Sequence, residues 1–140
     1  MDEGLFQLVY VSEATQEFGS RELLEILTQA KANNRARDIT GNLLYNAGLF
    51  LQVLEGEKAS VETLYSKIKR DPRHRRVRLL YLEPADFRLF GNWSMNMINL
   101  DQSQPTNYQK LQELVQAAAS GKQVDRLPAP VKLLRMFRKN

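Results

Sequence analysis

Two periodicities alternate along the first hundred residues, one of two and one near 3.6, and they divide the chain into strands and helices. From Leu5 to Ser12, Phe6, Leu8, Tyr10 and Ser12 alternate with Gln7, Val9 and Val11, a β-branched and aromatic run that reads as a strand with both faces at least partly buried. Ser20 is a suitable N-cap for a helix over residues 21–33, in which Leu23, Ile26, Leu27 and Ala30 form an apolar stripe and Asn33-Asn34 suits the C-terminal end. Residues 38–46 and 49–56 read as two strands around Asn46-Ala47-Gly48, whose residue types tolerate the backbone angles of a tight hairpin. A helix over about 58–69 carries Val61, Leu64, Tyr65 and Ile68 on one side, and Asp71-Pro72 stops it because the residue before proline avoids helical angles. Residues 77–83 form another apolar run. Trp93 to Leu100 makes a last strand, alternating Trp93, Met95 and Met97 with Ser94, Asn96 and Ile98.

The order strand, helix, strand, strand, helix, strand, strand predicts an α+β ferredoxin-like fold: a split βαβ plan with one added strand and both helices on one sheet face. Beyond Asp101 the pattern changes. Pro105 precedes a helix carrying Tyr108, Leu111, Leu114, Val115 and Ala118, which Gly121 breaks. Pro128 and Pro130 then open a short helix whose Val131, Leu133, Leu134 and Phe137 contrast with Lys132, Arg135, Arg138 and Lys139. The expected organisation is one domain over residues 1–100 and a helical extension over 101–140.

Composition narrows the chemistry. With 140 residues, 43% of them hydrophobic, the chain can build one sizeable core without disulfide or metal staples. It contains no cysteine, which excludes a disulfide framework, a thiolate metal site and a cysteine nucleophile, and suits a reducing cytosol; no metal centre is expected. The N-terminal Met-Asp-Glu has neither the basic start nor the apolar run of a signal peptide, and no stretch approaches the roughly 20 apolar residues of a membrane span. A cytoplasmic protein is expected. The net charge of +4 is unevenly placed: from Lys122 onward six basic residues face Asp125 alone, so the tail carries +5 and the body −1. A nearly neutral body with a basic tail argues against nucleic acid as the partner.

Strand parity supplies the first candidate chemistry, because residues two apart project to the same sheet face. Tyr10 then shares a face with Phe6 and Leu8, and Gln52 with Phe50 and Leu54. A glutamine embedded among Phe50, Leu51, Val53 and Leu54 is costly unless its amide is paired, since an unsatisfied buried polar group costs about 1–3 kcal/mol. The plainest reading is structural, with Gln52 bonding Tyr10 or the backbone and tying strands together. Asn33 and Asn34 alone read as a helix terminus, the single histidine, His74, as an exposed residue of an arginine-rich loop, and Trp93 and Met95 as strand core.

Read together, these segments mean more. Leu8-Val9-Tyr10, Asn33-Asn34, Ile39-Thr40-Gly41, Phe50-Leu51-Gln52-Val53-Leu54-Glu55-Gly56, Asp71-Pro72-Arg73-His74 and Trp93-Ser94-Met95 occur in the order and spacing of BLUF domains, which the chain resembles over roughly residues 5 to 100. The resemblance implies a blue-light photoreceptor without enzymatic activity, holding FAD, or FMN in its place, non-covalently between the two helices. It implies that Tyr10 and Gln52 meet the flavin carbonyl and N5 edge, that Asn34 bonds the pyrimidine end of the ring, and that Asn33 is a neighbouring contact. Ile26 and Ile68 match the apolar side chains that sandwich the ring, Phe50 lies near it, and Asp71, Arg73 and His74 match the bordering loop. Trp93 and Met95 match positions whose exposure reports the signal, and which of them lies near the flavin in the dark stays open.

The side-chain chemistry suits that role. A phenol with a pKa near 10 is protonated at neutral pH, so it is oxidised most easily when its proton leaves with the electron. A glutamine amide can relay that proton, having an acceptor oxygen and a donor nitrogen in one planar group, and the exchange could leave it rotated or tautomerised. Output is expected to run from Gln52 through the last strand to the extension after Asp101, toward an unidentified protein effector or a second copy in a homo-oligomer. An RRM-type RNA-binding module shares the split βαβ plan, but Gly48-Leu49-Phe50-Leu51-Gln52-Val53 lacks the RNP1 pattern of glycine and aromatics. An acylphosphatase-like enzyme lacks its phosphate-cradling loop here, and LOV photochemistry requires a cysteine. A flavin-binding module without photoactivity is the remaining alternative. The final basic helix reads as docking on the domain or a partner in preference to a membrane surface.

Overall fold

Turn chemistry and strand parity build most of the architecture, which a computed structural model describes for residues 4–91, 94–102 and 108–120. The elements are β1 (Leu5–Ala14), α1 (Ser20–Ala36), β2 (Thr40–Asn46), β3 (Leu49–Glu57), α2 (Lys58–Arg70), β4 (His74–Pro84), β5 (Asn96–Asn99) and α3 (Tyr108–Ala119). They form one five-stranded sheet in the order β4-β1-β3-β2-β5. Neighbours are antiparallel except β2 and β5, which run parallel. The ferredoxin-like plan expected from the sequence is present, with the added strand on the β2 edge.

Ala47 and Gly48 form the two-residue hairpin loop with φ of 49° and 81°, the left-handed pair that matches the twist of the flanking strands. This loop sets the β2–β3 register, from Asn46 opposite Leu49 to Leu43 opposite Gln52 and Gly41 opposite Leu54. Gly41 has a second reason to be glycine: a Cβ there would lie 2.0 Å from the Val53 carbonyl oxygen and 3.3 Å from Met95 Cε.

Both sheet faces are covered, which is why alternate residues of β1 and β3 are apolar on either side. Leu8, Tyr10, Leu43, Phe50 and Leu54 pack with Leu23 of α1 and Val61 of α2. On the opposite face Val9, Val11, Leu44, Leu51 and Val53 pack with Leu111, Leu114, Val115 and Ala118 of α3. The first helix of the extension is thus part of the sheet's core. It also covers the face that an RRM-type module leaves open for stacking bases.

One buried carboxylate ties this second face together. Glu55 is fully buried. Its Oε2 accepts from Gln7 Nε2 (2.8 Å) and Leu89 N–H (2.7 Å), and its Oε1 from Thr40 Oγ1 (2.9 Å) and Phe90 N–H (2.9 Å). Arg88 closes over it, donating to Thr40 Oγ1 at 2.9 Å, the Glu55 carbonyl at 3.1 Å and the Asp38 carbonyl at 2.8 Å.

Several boundaries differ from the sequence reading. The N-cap of α1 is Gly19, not Ser20: Gly19 N–H donates to the Glu22 carboxylate at 2.6 Å, so the chain enters the helix one residue earlier. α1 runs to Ala36, which places Asn33 and Asn34 inside its last turns, and the Asn34 carbonyl accepts from Arg37 N–H and Ile39 N–H. β4 begins at His74, ahead of the apolar run, because its pairing with β1 extends through two register shifts that accommodate the polar residues of an exposed edge. β5 is shorter than expected, since it pairs with β2 only from Asn42 to Tyr45. Trp93 and the helix expected over 128–139 lie outside the described residues.

Two substitutions test this framework by urea unfolding. Gly41→Ala is expected to lose about 3 kcal/mol of stability through overpacking against backbone, and Gly48→Ala, in open space but at positive φ, about 1 kcal/mol.

Candidate functional site

The cleft lies where α1 and α2 diverge over the sheet. It is an open space of about 700 Å³ lined by fourteen residues: Tyr10, Leu43 and Gln52 from the sheet, Ile26, Gln29, Ala30, Asn33 and Asn34 from α1, Leu64, Lys67 and Ile68 from α2, and Asp71, Arg73 and His74 beyond it. Helical spacing explains the walls. Gln29, Ala30 and Asn33 follow Ile26 by three, four and seven positions, and Leu64 precedes Ile68 by four.

Tyr10 and Gln52 face each other directly in the β1–β3 register. Tyr10 O–H donates to Gln52 Oε1, and Gln52 Nε2 donates to Met95 Sδ at 3.5 Å. All three side chains are buried. Burial raises the Tyr10 phenol above its ordinary pKa, and the nearby Asp71 and Tyr65 add to the effect. Tyr10 is therefore a protonated donor at neutral pH. Tyr65 packs on it with ring centroids 5.7 Å apart.

Asp71 and Arg73 form a local clamp at the end of α2, where Asp71 adopts extended backbone angles before Pro72. Arg73 Nη2 reaches Asp71 Oδ2 at 2.6 Å and its Nη1 reaches Gln29 Oε1 at 3.2 Å, so the guanidinium bridges the two walls. The hydrogen bond from Arg73 holds the Asp71 carboxyl below the usual carboxylate range.

His74 is drawn inward rather than exposed. Its Nδ1 lies 2.8 Å from Ser12 Oγ and its ring packs 4.9 Å from that of Phe50. Burial, assisted by Arg73, lowers its pKa to about 4 against the pull of Asp71, so the imidazole is neutral at physiological pH.

Nine of the expected site residues therefore converge on one cleft: Tyr10, Ile26, Asn33, Asn34, Gln52, Ile68, Asp71, Arg73 and His74. Phe50 does not line it. Its ring is buried behind the cleft between Tyr45 and His74, because β3 carries it one pleat beyond Gln52. Met95 meets the site through Gln52. Sequence reasoning missed Gln29, Ala30, Leu43, Leu64 and Lys67 as lining residues. Helical periodicity around Ile26 and Ile68 marks Gln29, Ala30 and Leu64, Lys67 follows Leu64 by three, and the hairpin register marks Leu43 opposite Gln52.

A flat conjugated ring with apolar faces and a polar edge fits this lining: aliphatic side chains from both walls, and amides from Gln29, Asn33, Asn34 and Gln52. Among the described residues no group of three or more His, Cys, Asp or Glu could hold a metal ion, and no helix is long and apolar enough to cross a membrane.

Comparison with known proteins matches this geometry. The sequence pattern of the BLUF family, described as sensors of blue-light using FAD, covers residues 5–96. The photoactivated adenylate cyclase subunit alpha of Euglena gracilis is 36% identical over 115 residues, which are 82% of this chain and 11% of that protein. The chain thus spans about a ninth of this relative's length. Among solved structures, BlrB, described as a BLUF protein in its dark state, superposes with a TM-score of 0.73 at 27% identity, covering 99% of this chain and 96% of BlrB. Klebsiella pneumoniae BlrP1, solved with FMN and cyclic diGMP, superposes with a TM-score of 0.69 at 32% identity, covering 96% of this chain and 32% of BlrP1.

The neutral His74 carries a stability signature. Its folded value of about 4 lies below the unfolded value of 6.5, so its contribution is complete above pH 6.5 and is lost as pH falls toward 4. Acid titration of unfolding is expected to show a loss of about 2–3 kcal/mol across that window, absent from His74→Gln.

Proposed function

The chain belongs to the BLUF family, sensors of blue light using FAD whose members bind flavin, and on that premise we propose that it is itself a photoreceptor in which Tyr10 and Gln52 turn excitation into a rearrangement of hydrogen bonds. The observation that carries this reading is the buried chain from Tyr10 O–H through the Gln52 amide to Met95 Sδ. A bound flavin supplies the blue absorption and, when excited, an acceptor for one electron.

The rest is done by the chain. Ile26 and Ile68 would hold the ring, Asn33 and Asn34 would bond its polar edge, and Lys67 and Arg73 would offer positive charge to the phosphates of the nucleotide. With its pKa raised by burial, Tyr10 releases its electron together with the phenolic proton, which passes to Gln52 Oε1 along the existing hydrogen bond. Return of electron and proton leaves the Gln52 amide either rotated or tautomerised. Rotation has a definite consequence at Met95. A thioether sulfur accepts but does not donate, so an amide turned to present Oε1 loses its bond to Sδ. With rotation, the light state is transmitted as a lost contact just before β5.

Residues 101–140 serve as the output extension in this reading. α3 packs on the second sheet face directly after β5, so a change in β5 reaches it through shared core. In this reading the extension passes the change on to a protein effector. Among the relatives one is described as a photoactivated adenylate cyclase subunit and another was solved with FMN and cyclic diGMP.

The purified protein is expected to be yellow, or to become so with FAD or FMN, and to show a small reversible redshift under blue light. A protein that takes up neither flavin sinks the reading, and one that binds flavin without photocycling is a flavin module of another kind. Tyr10→Phe and Gln52→Leu are each expected to abolish the redshift, recorded by absorption spectroscopy. A normal photocycle in either overturns the assigned pair.

A further inference from the structure

We infer that Asn34 is a positioning residue that ties occupancy of the cleft to strand β5, through a second amide contact independent of Gln52. Asn34 lines the cleft with its side chain buried, and its Nδ2 donates to the Ser94 carbonyl at 2.8 Å, across sixty residues of sequence. Ser94 immediately precedes Met95, the acceptor of the Gln52 amide. Two cleft amides, one from a helix wall and one from the sheet floor, thus end on consecutive residues of the segment leading into β5.

The surroundings explain why this contact matters. Upstream, Leu89 and Phe90 are pinned by Glu55, a carboxylate whose four acceptor bonds leave it no alternative arrangement. Downstream, β5 is four residues long and pairs only with β2, on one side and in parallel. A strand that short, at a sheet edge, draws much of its order from what holds its ends. Asn34 is itself well fixed, because its backbone carbonyl accepts from both Arg37 and Ile39.

An asparagine amide is planar, with two N–H groups and one oxygen acting as a unit. One N–H is spent on Ser94. A ligand that bonds the remaining N–H or the oxygen fixes the plane of the amide, and so fixes the Nδ2–H···O=C bond to Ser94. Filling the cleft orders β5 by this route. Reversal of the Gln52 amide releases Met95 while Ser94 stays held. Asn34 thereby sets the point about which the segment moves.

The inference rests on the cleft being a flavin site, and hydrogen exchange of the backbone amides of Asn96–Asn99 tests it separately from the photocycle. In the wild-type chain, saturating FAD is expected to slow this exchange about fivefold, the scale of one hydrogen bond. In Asn34→Ala stripped of flavin, exchange is expected to run about fivefold faster than in stripped wild type, and saturating FAD to produce no slowing. Asn34→Asp keeps the shape and an acceptor but cannot donate to Ser94, and is expected to match Asn34→Ala. Wild-type exchange unaffected by FAD, or either Asn34 variant behaving as wild type, overturns the inference. Should an Asn34 variant bind no flavin, the stripped-state comparison decides. A colourless or non-photocycling protein removes the photoreceptor reading and leaves the stripped comparison intact.

Discussion

The hydrogen bond between Tyr10 and Gln52 constrains everything around it, because two polar side chains can be buried in the middle of a sheet only if each satisfies the other. β1 and β3 must lie next to one another, antiparallel, with residue 10 opposite residue 52. A slip of one residue would turn Gln52 to the α3 side and set Leu51 or Val53 in its place. The Ala47-Gly48 turn then brings Leu43 to the other side of Gln52, and glycine at position 41 lets β2 close against β3 without striking the Val53 carbonyl. The floor of the cleft is thus a consequence of one pairing register.

β3 carries two buried polar residues of opposite character. Gln52 faces the cleft and Glu55 faces α3, as strand parity requires for positions three apart. Glu55 accepts four hydrogen bonds from donors on β1, β2 and the β4–β5 connection, and any change of its orientation would break several at once. Gln52 has one bond to a hydroxyl that can both donate and accept, and one long bond to a thioether. The carboxylate is suited to holding a structure still and the amide to changing its partners. The two stand three residues apart on one central strand.

The electrostatics of the cleft serve the same division. Burial keeps Tyr10 protonated and His74 neutral, so neither adds charge to the floor, while the Asp71–Arg73 pair holds its charges at the rim and joins α2 to Gln29 of α1. The Tyr10 hydroxyl therefore faces the Gln52 oxygen and no ionised partner. Relatives matched over this architecture are described differently, one as a photoactivated adenylate cyclase subunit and one as a protein solved with FMN and cyclic diGMP.

Much of this was legible in the chain itself. Period-two and period-3.6 patterns located β1, β2, β3, α1, α2 and α3, and strand parity singled out Tyr10 and Gln52, because local periodicity and side-chain chemistry are properties of short segments, whereas Asn34 and Asp71 to His74 gained a site role only through the resemblance to BLUF domains. Where local chemistry was ambiguous, the sequence reading went astray: Ser20 looked a better cap than Gly19, and the arginine-rich stretch around His74 looked like a loop. The tertiary structure decided what depends on distant partners. It set Phe50 behind the cleft, drew His74 inward against Ser12, placed α3 over the second sheet face, and brought Ser94 and Met95 to Asn34 and Gln52. No pattern within a segment encodes those meetings, since most of them join residues more than forty positions apart through the pairing of whole strands and the packing of whole helices.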